Sequence, residues 1–399
     1  MSATFPTATT GPGVHRHFHR LAWLACALAF GVIVFGAFVR LSNAGLSCPD
    51  WPTCYGRATW PTASTHVIDH AATAIRPVEI HKAWREQLHR MLAGTLGTLV
   101  FVLALLAVRR RRFGIVTVVS AAALVAASIA LYMRARYLPA GLLAGTGEAL
   151  LLFAALRWSN VDFARVSTLT LATIIFQALL GMWTVTWLLK PVVVMGHLLG
   201  GIATFALLAY AALRYAGVGA RDDSYAALRR LVVIGIVLLL AQIALGGWTS
   251  ANYAALACGT DFPKCLGQWT PPTDFEQGFV LWRGVGVNYE GGVLDLAARS
   301  AIQLAHRLGA LVVFCYLAWL ALRATRRGLR GHGLAIAAVL VAQVLLGISN
   351  VHFGLPLPVA TLHNGVAALL LFVLLATLAR TQRRPDDAIF SRSIFQGLG

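Results

Sequence analysis

Long apolar runs, each ended by arginines or by polar segments rich in proline and glycine, dominate the chain. Runs of spanning length fall at about 20–40, 87–108, 113–133, 139–157, 166–189, 192–213, 230–250, 299–322, 333–352 and 359–380. A bilayer core needs about 20 apolar residues per helix, so these runs predict about ten transmembrane helices. The run at 139–157 is short and carries Glu148. It is kept because losing it alone would invert every later segment against the distribution of arginines.

Composition supports this reading. Of 399 residues, 58% are hydrophobic and only 12% are charged, which excludes an ordinary soluble domain of this length. The formal net charge of +18 does not indicate nucleic acid, because no basic stripe with interleaved aromatics lies on a soluble segment. The first apolar run, Leu21 to Val39, is long enough to span and carries no small-residue cleavage site, so it reads as a helix. Arg16, Arg20, Arg109–Arg112, Arg157, Arg165, Arg214–Arg230, Arg323–Arg330 and Arg380–Arg384 all fall on one side, expected to be the cytoplasm, with Arg134 and Arg136 as exceptions. The loops at about 42–86 and 251–298 then face outward, into a periplasm if the cell is Gram-negative. They carry Cys48 with Cys54 and Cys258 with Cys265, candidate disulfide pairs in an oxidising compartment. Cys26 and Cys315 lie inside apolar helices and are expected to be small buried hydrophobes.

An internal repeat organises the polar residues. The order Cys-Cys, His-Arg, Gln-x-x-x-Gly, His occurs as Cys48/Cys54, His89-Arg90, Gln177-to-Gly181 and His197, then as Cys258/Cys265, His306-Arg307, Gln343-to-Gly347 and His363. His306 to Gln343 spans 37 residues while His89 to Gln177 spans 88, and the 51 additional residues hold a two-helix hairpin at about 113–157. The expected fold is therefore an all-α polytopic membrane protein. It has two pseudo-symmetric four-helix bundles in parallel repeat, plus this extra hairpin in the first half. The expected divisions are a cytoplasmic tail at 1–19, a first half at 20–218, a second half at 219–380 and a cytoplasmic tail at 381–399.

All four histidines are expected near the start of helices that enter from outside, at one depth, where an ionisable residue faces the bundle interior. Zinc would recruit a carboxylate or cysteine as further ligand, and none repeats beside all four. Two facing imidazoles are the axial set of a six-coordinate haem, for which a helix bundle is a common site. Arg90 and Arg307 are candidates to meet haem propionates.

At this point the chain resembles the haem A synthase family. The resemblance is carried by Gly36-Ala-Phe-Val-Arg-Leu-Ser-Asn-Ala-Gly-Leu-Ser-Cys-Pro-Asp-Trp-Pro-Thr-Cys54, Glu86-Gln-Leu-His89-Arg90, Gly181-Met-Trp-Thr-Val, His197-Leu-Leu-Gly-Gly201, Gly246-Gly-Trp-Thr-Ser250, His306-Arg307 and His363-Asn364. It implies a bacterial inner-membrane oxidoreductase with cytoplasmic termini that converts the C8 methyl of haem O to the formyl of haem A by successive hydroxylations, for cytochrome oxidase assembly. It implies His89 and His197 as the substrate site, with haem O as substrate and haem A as product, and His306 and His363 as the site of a haem b that passes electrons. Haem O synthase, cytochrome oxidase assembly factors, membrane lipid and an unidentified electron donor are the implied partners. Self-association stays open. The resemblance further implies that Cys48/Cys54 takes part in substrate handling or redox delivery, whereas the residues alone favour a plain structural disulfide in both loops. A quinol-linked di-haem b cytochrome would use the same four ligands, and a repeat-built transporter would use histidines as proton relays. Against the cytochrome stands one asymmetry: Glu86 lies one turn before His89, where the second half has Gln303 before His306. Replacing Glu86 with alanine should therefore lower conversion of haem O while haem b at the second site is retained. Haem extraction measures both, and an unchanged haem A yield would remove Glu86 from the chemistry.

Overall fold

The computed structural model describes residues 18–160, 163–220, 223–284 and 286–383. Arg16, Arg384 and most of the two predicted tails lie outside the described residues. Among the described residues, ten helices are long and apolar enough to cross a membrane. They are α1 (Phe18–Leu41), α2 (Ile80–Val108), α3 (Gly114–Tyr132), α4 (Tyr137–Arg157), α5 (Ala164–Thr186), α6 (Pro191–Tyr215), α7 (Ala226–Ala251), α8 (Leu296–Arg326), α9 (Arg330–His352) and α10 (Leu357–Thr381). No strand occurs among the described residues.

Helices α2 and α8 begin earlier than the apolar runs do. Polar turns such as Ile80-His-Lys-Ala-Trp-Arg-Glu-Gln87 continue the helix beyond the apolar stretch, and hydropathy registers only the latter. His89 consequently lies well inside α2, and His306 well inside α8, rather than at their starts.

Two closed rings account for eight helices. In the first ring α1 packs on α2, α2 on α5, α5 on α6, and α6 on α1; in the second α7 packs on α8, α8 on α9, α9 on α10, and α10 on α7. The rings meet through α1 with α10, α6 with α7, and α6 with α10. Exchanging α1 for α7 and α6 for α10 maps this seam onto itself, the contact pattern of a pseudo-twofold relation between parallel repeats. Hairpin α3–α4 lies outside the first ring, against α5 and, more lightly, α2. Glu148 sits in mid-helix on α4 and is half-buried, so it does not cap that helix, and its Oε2 has no hydrogen-bond partner among the described residues.

The densest apolar core occupies the half of both rings remote from the loops, where Phe18, Ala22, Leu103, Leu208, Leu317 and Leu374 are all buried. Small residues let these helices approach closely. Cys26 is buried there, but Cys315 is exposed on the outer surface of α8, where a thiol replaces an apolar contact with lipid rather than with the core.

Both outer loops are built alike. Each closes the expected disulfide, Cys48–Cys54 and Cys258–Cys265. Each also has a cis X-Pro bond between its cysteines, Trp51-Pro52 and Phe262-Pro263, and a left-handed residue after the second cysteine, Tyr55 and Leu266. The two loops join at Arg76, which pairs with Glu290 through bonds of 2.9 and 3.0 Å. This pairing raises the Arg76 pKa.

Tyr55 is fully buried beneath the first loop and donates to the carbonyls of Arg76 and Pro77 at 3.2 Å. Burial pushes its phenol up to about 12, above the ordinary tyrosine value. A raised folded-state pKa means that the neutral form stabilises the loop fully below pH ~10, and that this contribution is lost as pH rises through about 12. Melting curves should show wild type losing stability over that interval more steeply than Tyr55→Phe. Identical alkaline slopes would disprove the assignment.

Candidate functional site

Each of the four histidines lies against a glycine of a neighbouring helix. An added Cβ at Gly36 of α1 would meet the His89 ring, at Gly181 of α5 the His197 ring, at Gly246 of α7 the His306 ring and at Gly347 of α9 the His363 ring, all through Cε1 at 2.7–3.2 Å. Side chains at these positions would displace the imidazoles. The glycines are therefore seats for the rings.

In the first half the rings of His89 and His197 stand 6.5 Å apart, centroid to centroid, at 82°. His197 Nδ1 reaches the backbone carbonyl of Gln177 at 3.2 Å, and the Gln177 side-chain amide donates to the His197 carbonyl at 2.6 Å. With its proton on Nδ1, the His197 ring leaves Nε2 bare for a metal. In the second half Gln242 Nε2 lies 3.0 Å from His306 Nδ1 and donates to the His306 carbonyl at 2.9 Å, while Gln343 Nε2 lies 3.4 Å from His363 Nε2. The sequence reading singled out Gln177 and Gln343 but missed Gln242. Its signal was available, since Gln242 precedes Gly246 by the same four residues.

Glu86 is buried at 4% exposure. Its carboxylate accepts from Arg90 at 2.6 Å, from the Ser47 hydroxyl at 3.0 Å and from the Cys48 amide at 2.8 Å. Arg90 also donates to the carbonyls of Cys48, Asp50 and Thr53. Thus Glu86 and Arg90, one turn apart on α2, grip both sides of the Cys48–Cys54 loop. Arg307 does the same without a glutamate, donating to the carbonyls of Asp261, Pro263 and Lys264. The expected propionate partners are thus turned into the loops above each pair. Gln303 is buried at the position of Glu86, and its Oε1 has no partner among the described residues.

The first site also carries a roof that the sequence did not reveal. Lys190, at the α5–α6 corner, is buried and donates to the Gly284 carbonyl at 2.9 Å. Its amine stands 3.3 Å from the Trp282 ring centroid and 5.7 Å from that of Trp187, a cation–π arrangement. The second loop therefore crosses the seam and covers part of the first ring.

These features define an integral membrane protein with two internally repeated imidazole-pair sites beneath disulfide-bonded loops. The chain belongs to the COX15-CtaA family, described as cytochrome oxidase assembly protein, which it matches over residues 19–135 and 131–375. It is 38% identical over 363 residues to the heme A synthase of Shewanella oneidensis, covering 89% of this chain and 94% of that one. It is 25% identical over 372 residues to the heme A synthase of Rhizorhabdus wittichii, covering 88% and 90%. With the Anaplasma marginale heme A synthase it is 26% identical over 393 residues, covering 94% and 97%.

Removing one member of a buried ion pair leaves an uncompensated charge and costs about 3–5 kcal/mol, while exposed contacts are worth ~1 kcal/mol or less. The Arg90 side chain is 14% exposed, whereas the contacts of Arg307 are exposed. Arg90→Met should therefore lower the melting midpoint more than Arg307→Met does. Equal shifts in a detergent thermal melt would show that the Glu86 pairing adds nothing.

Proposed function

We propose that this chain oxidises the C8 methyl of haem O to the formyl of haem A, with His89 and His197 holding the substrate and His306 and His363 holding a resident haem b. The observation that carries the placement is the spacing of the first pair. A metal–imidazole bond of ~2 Å on each side of one ion brings two ring centroids to about 6 Å apart, and His89 and His197 stand at 6.5 Å.

The donor set fits a haem as well. Among the described residues no group of three or more His, Cys, Asp or Glu side chains converges. Two imidazoles alone complete a metal whose other donors are supplied by a macrocycle. Haem b, when bound at the second pair, supplies one-electron transfer. Everything else is done by protein groups: the four glycines seat the rings, the Gln177 carbonyl holds the His197 tautomer, and the Glu86–Arg90 clamp sets the loop over the first pair.

Glu86 supports the division of labour. It is the carboxylate nearest to His89 along α2, and the second site has Gln303 instead. A carboxylate there can take up protons released as a methyl group becomes a formyl group, whereas an electron-transfer site has no such need. The ten helices run without a mid-membrane break, which removes the feature that would favour a transporter. In the membrane this reading places the arginine-rich ends in the cytoplasm of a bacterial inner membrane and the disulfide loops outside. Haem O synthase, oxidase assembly factors and an electron donor are its proposed partners.

The test is to purify the protein from membranes that also contain a haem O synthase, extract the haems in acid and separate them by chromatography. Haem A or its hydroxylated precursor alongside haem B is expected, with haem A missing when the chain is omitted. Haem B alone, with haem O available, would leave only a di-haem cytochrome.

A further inference from the structure

Arg90 and Arg307 are committed to the loops, but one guanidinium beside the first pair is not. Arg85 lies on α2 one helical turn before His89, on the same face and on the side of the disulfide loop. It is half-buried, its Nε is buried without a partner, and it makes no hydrogen bond or ion pair with any described residue. The adjacent Glu86 carboxylate does not serve it, being held by Arg90 at 2.6 Å. A guanidinium with unused donors, shielded from water, is a place for a carboxylate.

Its surroundings suit one kind of carboxylate. The guanidinium carbon of Arg85 stands 5.2 Å from the Phe38 ring centroid and 5.7 Å from that of Trp84. Both rings neighbour Phe35, at 5.7 and 6.4 Å, and Phe35 lies 6.4 Å from the His89 ring. An aromatic wall thus runs from the imidazole to the guanidinium, apolar along its length and cationic at its loop-side end. A flat macrocycle that is apolar except for carboxylates along one edge matches that gradient.

The second half does not repeat the arrangement. In the register that aligns His89 with His306, Trp84 and Arg85 correspond to Ala301 and Ile302, both buried at 0% exposure. In the register that aligns Gly36 with Gly246, Phe35 corresponds to Leu245. The other cation one turn from a seat, Arg40, donates to the Ser250 carbonyl at 2.8 Å and lies over the Tyr253 ring, so it is tied to the seam between the halves.

Resting on the haem-site reading above, we propose that Arg85 binds a propionate carboxylate of haem O at the first pair, and that the second pair has no counterpart to it. Two imidazoles hold a macrocycle along one axis and leave rotation about that axis free. A carboxylate anchor removes this freedom and thereby chooses which ring methyl faces the reacting groups. In haem O the C8 methyl shares its pyrrole ring with a propionate. Fixing that edge at Arg85 brings the methyl to the loop-side turn of α2, where Glu86 is the next residue. A resident electron carrier needs no such choice of edge.

The test compares haem O with its dimethyl ester, whose propionates are uncharged. Full-length protein carrying haem b is mixed with increasing amounts of either form and passed through gel filtration. Its haems are then extracted and separated by chromatography, which counts haem O and haem B independently. The unaltered protein should bind the acid about tenfold more tightly than the ester. Arg85→Met should bind the acid only as well as the ester, Arg85→Lys should fall between, and haem B content should stay constant throughout. A preference for the acid that survives Arg85→Met, or haem O and haem B lost in equal proportion, would overturn the assignment. Equal binding of acid and ester by the unaltered protein would do so without any variant. Protein that takes up neither form would instead overturn the reading of the first pair as the substrate site, and this assignment with it.

Discussion

Four imidazoles have to be held inside an apolar bundle, and the contact of each ring with a glycine on the adjacent helix is what the rest of the architecture serves. A buried polar ring is tolerated only where it is partnered or ligating. The four seats recur at equivalent helix pairs, α1 with α2, α5 with α6, α7 with α8 and α9 with α10. Ring closure of each four-helix unit follows from this pairing, because the two histidines of a unit can face each other only if the two seating pairs lie side by side.

The loops are tied to the same helices that carry the histidines. Arg90 and Arg307 follow His89 and His306 directly in sequence, so a helical residue one step from a ring reaches up into the disulfide loop. In the first half Glu86 completes the grip, with its carboxylate shared among Arg90, Ser47 and Cys48. Loop geometry and ring geometry are thereby coupled through a single turn of α2. The proton chemistry proposed for Glu86 would take place on a group that also supports the loop.

Much of this was legible in the sequence because it is periodic or local. Ten apolar stretches, the cysteine pairs, the repeat and the inserted hairpin depend on runs and spacings along one chain. Contacts across helices were not legible. The role of Gly36 and Gly246 as ring seats and the place of Gln242 went unremarked, and Arg90 and Arg307 were directed at propionates, since nothing in a one-dimensional pattern says that their carbonyl partners lie at Asp50, Thr53, Asp261 and Lys264. Lys190 is the extreme case. A lysine at the end of an apolar run reads as a solvated flank, and only the approach of Trp282 and Gly284 from almost a hundred residues downstream buries it.

That crossing strap changes what the repeat means. A duplicated unit is at first two self-sufficient copies side by side. Here the second copy's extramembranous segment finishes the enclosure of the first, through Lys190 with Gly284 and Arg76 with Glu290, and no matching strap is seen in return among the described residues. The duplication has become a division of labour in shape: one copy is lidded by its twin, and the second could not now be excised without leaving the first open to water.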